Sequence, residues 1–157
     1  MKALINLANK VKNLSIDELM IKLASEKSFT DFIIELNTQK QLFEKGVDAK
    51  GRLLSDIGGD YAASTIEGTS TFKGKKELGL PYDHITLFQT GEFYESFKVY
   101  LNGRDFIISA DTVKDTSDLI SDWGRDILGL NENSLILLRE KASIILINHV
   151  KMLLLQR

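Results

Sequence analysis

Asp48, Lys50 and the upstream Glu35 and Glu44 are the residues whose types and spacing come nearest to a catalytic set. Asp48-Ala49-Lys50 is a bare D-x-K, and with a neighbouring glutamate it would suit a metal-dependent nuclease, in which carboxylates hold the cation at the phosphodiester. The flanking run "KGVDAKGR" reads more simply as a polar turn after a helix. The two histidines, His84 and His149, fall at a strand entrance and on a terminal helix, with no HxxxH or HxH spacing to make a metal pair. Gly58-Gly59-Asp60 and "FKGKKELG" lack the strand, G-x-x-x-x-G-K-[ST] loop and helix order of a phosphate cradle. No G-x-S-x-G occurs. Lys73, Lys75 and Lys76 form a small basic knot that reads as a solvated surface. Trp123, within "SDWGRDILG", reads as a core residue on a helix face. No catalytic residue, metal or cofactor is expected, and the nuclease stands as an alternative.

With no side chains announcing a reaction, the bulk properties carry more weight. The chain has 157 residues, near the commonest size for one domain, and is read as a single domain over 1–157. Twenty basic residues against twenty-two acidic ones leave a formal charge of −2. A dedicated phosphate-backbone binder carries a strong basic excess, so nucleic acid is not an obvious bulk partner. The absence of cysteine excludes a disulfide framework and thiolate metal sites. Asn6, Asn9 and Lys10 interrupt the apolar residues at the N-terminus, so neither a signal peptide nor a membrane span is expected there, and a soluble, unexported protein is.

The elements follow from periodicity. Leu4, Leu7, Ala8 and Val11 stand at helical spacing, and Ser15-Ile16-Asp17-Glu18 reads as a capping box for a second short helix to about Ala24. Together they make a helical N-terminal segment, residues 1–27, before a core over 28–157. Phe29, Phe32, Ile33, Leu36 and Phe43 predict a helix over 29–45, with Asp31, Glu35, Thr38, Gln39 and Lys45 on its solvated edge. Residues 46–81 gather most of the glycines and the only proline, and predict a long loop whose "TIEGTSTFKGKKELG" portion reads as mobile. "HITLFQ" predicts a strand, and "EFYESF" a turn of helix after Thr90-Gly91. Phe97, Val99 and Leu101 alternate toward Asn102-Gly103, and Phe106 and Ile108 resume beyond, which predicts a β-hairpin, with Val99 opposite Phe106 if the turn has two residues and the same residues on the same face if the loop has four. A short helix at about 116–128 and a long one from Asn131 complete the chain. On the long helix Leu135, Ala142, Leu146, Val150 and Leu153 form one apolar stripe suited to covering a sheet. Leu137, Ile144 and Leu155 project from nearly the opposite side. The fold class is α+β, an antiparallel sheet with a central hairpin packed by the mid-chain and terminal helices.

A resemblance adds to this reading. "QLFEKGVDAKGRLL", then "YAAST", then "ITLFQTGEFYESFKV" resemble the pattern of tailed-phage virion-morphogenesis and tail-completion proteins, which form the neck between head and tail. The matching positions are Gly46, Asp48 and Gly51 in a turn that ends a helix, and Leu87, Thr90, Gly91, Phe93 and Ser96 in an element that leads to a hairpin. They cover roughly residues 40–110. A later "Y-A-x-x-H-x-x-G" element found in many members is replaced here by "LISDWGRDILGLNENS". The resemblance implies a structural virion protein with no catalytic residues, in a closed ring around the DNA channel, where double-stranded DNA only passes.

Both lines meet on assembly. A ring needs two different patches that fit each other on neighbouring subunits. The second stripe, Leu137, Ile144 and Leu155, offers one as a subunit interface, and the 46–81 segment can offer the other. The expected partners are copies of this chain and portal, connector or tail proteins of the same virion, with no membrane. A monomeric adaptor for a host protein is the remaining alternative.

Overall fold

The computed structural model describes residue 9, residues 14–114 and residues 117–155. The helix expected from Leu4, Leu7, Ala8 and Val11 lies outside the described residues. The first described element, α1 (Ile16–Ser25), starts at the expected capping box. Ser15 Oγ accepts from the Asp17 amide at 3.2 Å, and the Glu18 carboxylate reaches back to the Ser15 amide at 3.5 Å. These contacts satisfy amides that have no partner within the helix.

α2 (Lys27–Glu35) runs without interruption into a π-helical segment, Leu36–Phe43. The helical expectation over 29–45 holds, but the pitch changes inside it, and the inward set changes with the pitch. Leu36, Asn37, Thr38, Gln41 and Leu42 are all buried, whereas Phe43 is only half-buried. Thr38, expected on the solvated edge, is buried and donates its hydroxyl to the Ile34 carbonyl at 2.8 Å.

The 46–81 segment is folded against itself rather than structureless. It holds two short helices, α3 (Ser55–Gly58) and α4 (Ala63–Glu67), and two isolated bridges, Val47 with Leu53 and Gly68 with Lys73. The "FKGKKELG" stretch is tied to α4 by the Lys75 amide on the Thr65 carbonyl at 3.0 Å and the Lys76 amide on the Ile66 carbonyl at 3.1 Å. Gly74 makes this approach possible, because a Cβ there would lie 2.2 Å from the Gly68 nitrogen. The backbones touch, so no side chain fits between them.

"HITLFQ" forms no strand; it is irregular chain without a ladder partner, with Leu87 at positive φ. α5 (Glu92–Glu95) follows Gly91, which caps it with φ 94°. The hairpin is present as β1 (Lys98–Asn102) and β2 (Asp105–Ser109), but its pairing differs from the expected one. Val99 lies opposite Ile108 and Leu101 opposite Phe106, so the loop residues are Gly103 and Arg104. Gly103, φ 63°, takes the first central position, where a II′ loop prefers glycine. A slip of two residues keeps every side chain on its face, so Val99, Leu101, Phe106 and Ile108 still point the same way.

β3 (Val113–Lys114) and β4 (Ser117–Asp118) form a second small antiparallel pair. The helix expected at 116–128 is split instead into α6 (Leu119–Trp123) and a 3-10 turn (Arg125–Ile127), separated by Gly124 at φ 81°. α7 (Glu132–Leu155) is the long terminal helix, and the Asn131 side chain caps it by accepting from the Ser134 amide at 3.0 Å.

The architecture is α+β, with two apolar clusters among the described residues. The larger holds Leu42, Leu54, Ile85, Phe93, Tyr94, Phe97 and Ile127, with Trp123 packed against it. The smaller joins Leu23, Phe29 and Ile33 to Val99 and Phe106 of the hairpin and to Leu138, Ala142 and Leu146 of α7. The terminal helix and the hairpin therefore share α1 and α2 as a common support.

Candidate functional site

The residues singled out from the sequence lie in two backbone devices beside the larger core. In the first, Gly46, Asp48 and Gly51 shape a closed turn. The Leu54 amide donates to the Gly46 carbonyl at 2.8 Å, and the Gly51 amide to the Asp48 carbonyl at 2.9 Å. Gly46 has φ 60°, and a Cβ there would stand 2.7 Å from the Ile85 carbonyl oxygen. Asp48 is fully buried. Its Oδ1 accepts the amides of Lys50 and Arg52 at 2.8 and 2.9 Å, and its Oδ2 accepts Arg52 Nε at 2.8 Å. Arg52 also reaches Asp126 at 2.9 Å, and Lys50 meets the same carboxylate at 2.6 Å. Asp48 thus serves its own turn and clips it to the 3-10 segment, through charge-assisted bonds that compensate burial of the carboxylate.

Asp48, Lys50 and Glu44, the residues of the nuclease alternative, are each engaged by other groups. Both Asp48 oxygens are engaged by the turn, Lys50 is paired with Asp126, and Glu44 is paired with Lys40 at 2.6 Å. Glu35 is exposed on the side of α2. His84 is fastened between Asp83 and the Phe43 carbonyl, 2.8 Å from each, while His149 lies on α7.

In the second device, Leu87, Thr90, Gly91, Phe93 and Ser96 carry the chain from the irregular stretch into α5 and the hairpin. Leu87 is the one non-glycine residue at positive φ among the described residues, at 56°. Phe93 is buried in an edge-to-face group with Tyr94 and Phe97. Ser96 Oγ donates to the Phe93 carbonyl at 2.7 Å and accepts the Asp111 amide at 2.9 Å, which ties the hairpin's exit to its entrance. Tyr94 donates its hydroxyl to the Thr86 carbonyl. Burial first, and Tyr61 second, push its phenol well above the ordinary range, so it remains a neutral donor.

Two features escaped the sequence reading. Lys75, assigned to a solvated knot, is only 1% exposed. Its Nζ donates to the Phe88 carbonyl and to Thr86 Oγ1 at 3.3 Å, and lies 4.5 Å from the Tyr61 ring centre. A carbonyl and a π face take the place of a carboxylate. Lys73 and Lys76, by contrast, form exposed pairs with Glu77 and Glu67. The second feature is a clamp on the π segment. Asn37 donates to the Ile127 carbonyl at 3.0 Å and accepts the Gly129 amide at 2.9 Å. Gln41 donates to the Gly129 carbonyl at 2.9 Å and accepts the Asn131 amide at 2.8 Å. Both amide side chains therefore act as strand-like partners for the backbone that leads into α7.

These devices hold backbone; several large apolar side chains are left exposed. On α7, Ile136, Leu137, Ile144, Ile147, Met152 and Leu155 are exposed. The three residues expected as an interface, Leu137, Ile144 and Leu155, are among them. Near the other core, Phe72 and Leu78 line a groove of about 600 Å³ with Thr65, Lys73, Gln89 and Thr90.

Comparison with protein-family models, with curated proteins and with solved structures finds no match. No helix among the described residues is long and apolar enough to cross a membrane.

Proposed function

We propose that this chain is a structural protein of a tailed-phage particle, which forms or completes the neck ring between head and tail and acts through its surfaces rather than through a catalytic centre. The observation that carries the assembly reading is the outer face of α7, where Ile144 is 61% exposed and Leu155 79%. A monomer gains nothing by presenting such a row to water, and an extended apolar face of this kind marks an interaction site. The groove at Phe72 and Leu78 supplies a second, different patch, as a head-to-tail ring contact requires. The phage assignment rests on the likeness of the Gly46 to Gly51 turn and the Leu87 to Ser96 element to tail-completion proteins. A formal charge of −2 suits a channel wall past which DNA slides, because many fixed phosphate contacts would hold it.

Ile144→Glu tests the reading. Light scattering of the wild-type chain, alone and with the portal protein of the same particle, is expected to find a multimer. The variant is expected to keep its far-ultraviolet helical signal and fall to the mass of one chain. A wild-type protein that stays monomeric in both settings, or purified virions that do not contain it, would overturn the proposal.

A further inference from the structure

The outer face of α7 carries a sharper pattern than exposure alone. Leu137, Glu140, Ile144, Ile147, Lys151 and Leu154, of which Leu154 is half-buried and the others exposed, are spaced alternately three and four residues apart, the seam along which two helices pack side by side. The seam reads the same in reverse with its charges inverted. If a second copy of the helix is laid antiparallel about the midpoint between Ile145 and Leu146, Leu137 meets Leu154, Glu140 meets Lys151, and Ile144 meets Ile147. Each pairing occurs twice, and Ile136 and Leu155 fall opposite each other at the flanks. Glu140 and Lys151 are both exposed. A parallel pairing in register would set Glu140 against Glu140 and Lys151 against Lys151, which disfavours that arrangement.

We propose that the occupant of this face in the free protein is a second copy of the same chain, joined by a two-fold antiparallel contact of α7 with α7. The inference rests on the self-association read above and specifies its geometry. The seam from Leu137 to Leu154 is about 27 Å long at the rise of an α-helix. A two-fold contact closes on two copies and cannot by itself build a ring. It covers the α7 face that the ring contact uses, so pairing and ring closure compete.

The test is charge reversal at two exposed positions, with sedimentation equilibrium of the full chain at low salt and helical content checked by circular dichroism. Glu140→Lys and Lys151→Glu are each expected to weaken pairing by about tenfold or more, because each sets two like-charge contacts in the seam. An equimolar mixture of the two variants is expected to pair as tightly as the wild type, since every contact then unites opposite charges. Single variants that associate like the wild type, or a mixture that stays apart, would overturn the two-fold contact while leaving self-association in place. A wild-type chain that is monomeric throughout would overturn both.

Discussion

Asp48 accepts two backbone amides and the Arg52 guanidinium while fully buried. Asp48→Ala would leave those amides without an acceptor and release Arg52 from the turn. The expected cost is roughly 2–4 kcal/mol, at the lower end of what breaking a buried charged pair costs, because Arg52 is half exposed to solvent. Urea unfolding checks this as a lower midpoint at unchanged slope. An unmoved midpoint would mean that the glycines alone hold the turn. The spacing of Gly46, Asp48 and Gly51 made a turn legible in the sequence, but not the burial of its carboxylate. D-x-K also fits a metal ligand set, and the sequence does not show that Arg52 and the turn amides take up both Asp48 oxygens. Lys75 teaches the same lesson in reverse. Its type and neighbours predict solvent, while Tyr61, Thr86 and the Phe88 carbonyl form a pocket that the local sequence does not encode.

Helices and the hairpin show a different balance. Apolar recurrence marks the 29–45 helix, and alternation marks the hairpin and its inner face, since both depend on neighbours within a few residues. The π pitch of Leu36–Phe43 depends on more distant partners, because Asn37 and Gln41 are buried while bonded to backbone about ninety residues further on. Gln41→Leu keeps the approximate volume but leaves the Gly129 carbonyl and the Asn131 amide without partners. It is expected to cost roughly 1–3 kcal/mol. Hydrogen exchange locates the effect, with the Asn131 amide expected to exchange at least about tenfold faster while the hairpin amides of β1 and β2 keep their protection relative to global stability. Equal protection at Asn131 in both proteins would show that the clamp is not what joins the π segment to α7.

At the scale of the whole molecule, the polar devices face inward and hold backbone, whereas exposed apolar side chains stand on α7 and at the Phe72 groove, and also at Ile16 and Ile21 of α1 and Val113 of β3. The two patches are separable by mutation. Phe72→Ser removes a side chain that is already 44% exposed, so the fold is expected to lose less than about 1 kcal/mol. If the chain forms the proposed ring, loss of this contact frees the α7 face, and the chains are then expected to re-pair two by two through α7, measured as a fall in mass by light scattering. A ring of unchanged mass would place the second ring contact elsewhere. The amino-acid order by itself determined the α+β class, the 29–45 and terminal helices, the inward side of the hairpin and the outward set Leu137, Ile144 and Leu155, because each is written in a period of two or about 3.6 residues. The tertiary structure alone decided the two-residue slip of the hairpin, the folding of the 46–81 segment on itself, and the burial of Asn37, Gln41, Asp48 and Lys75. A shift by two leaves alternation unchanged, and a buried polar group is specified by partners that the chain brings near only once it has folded.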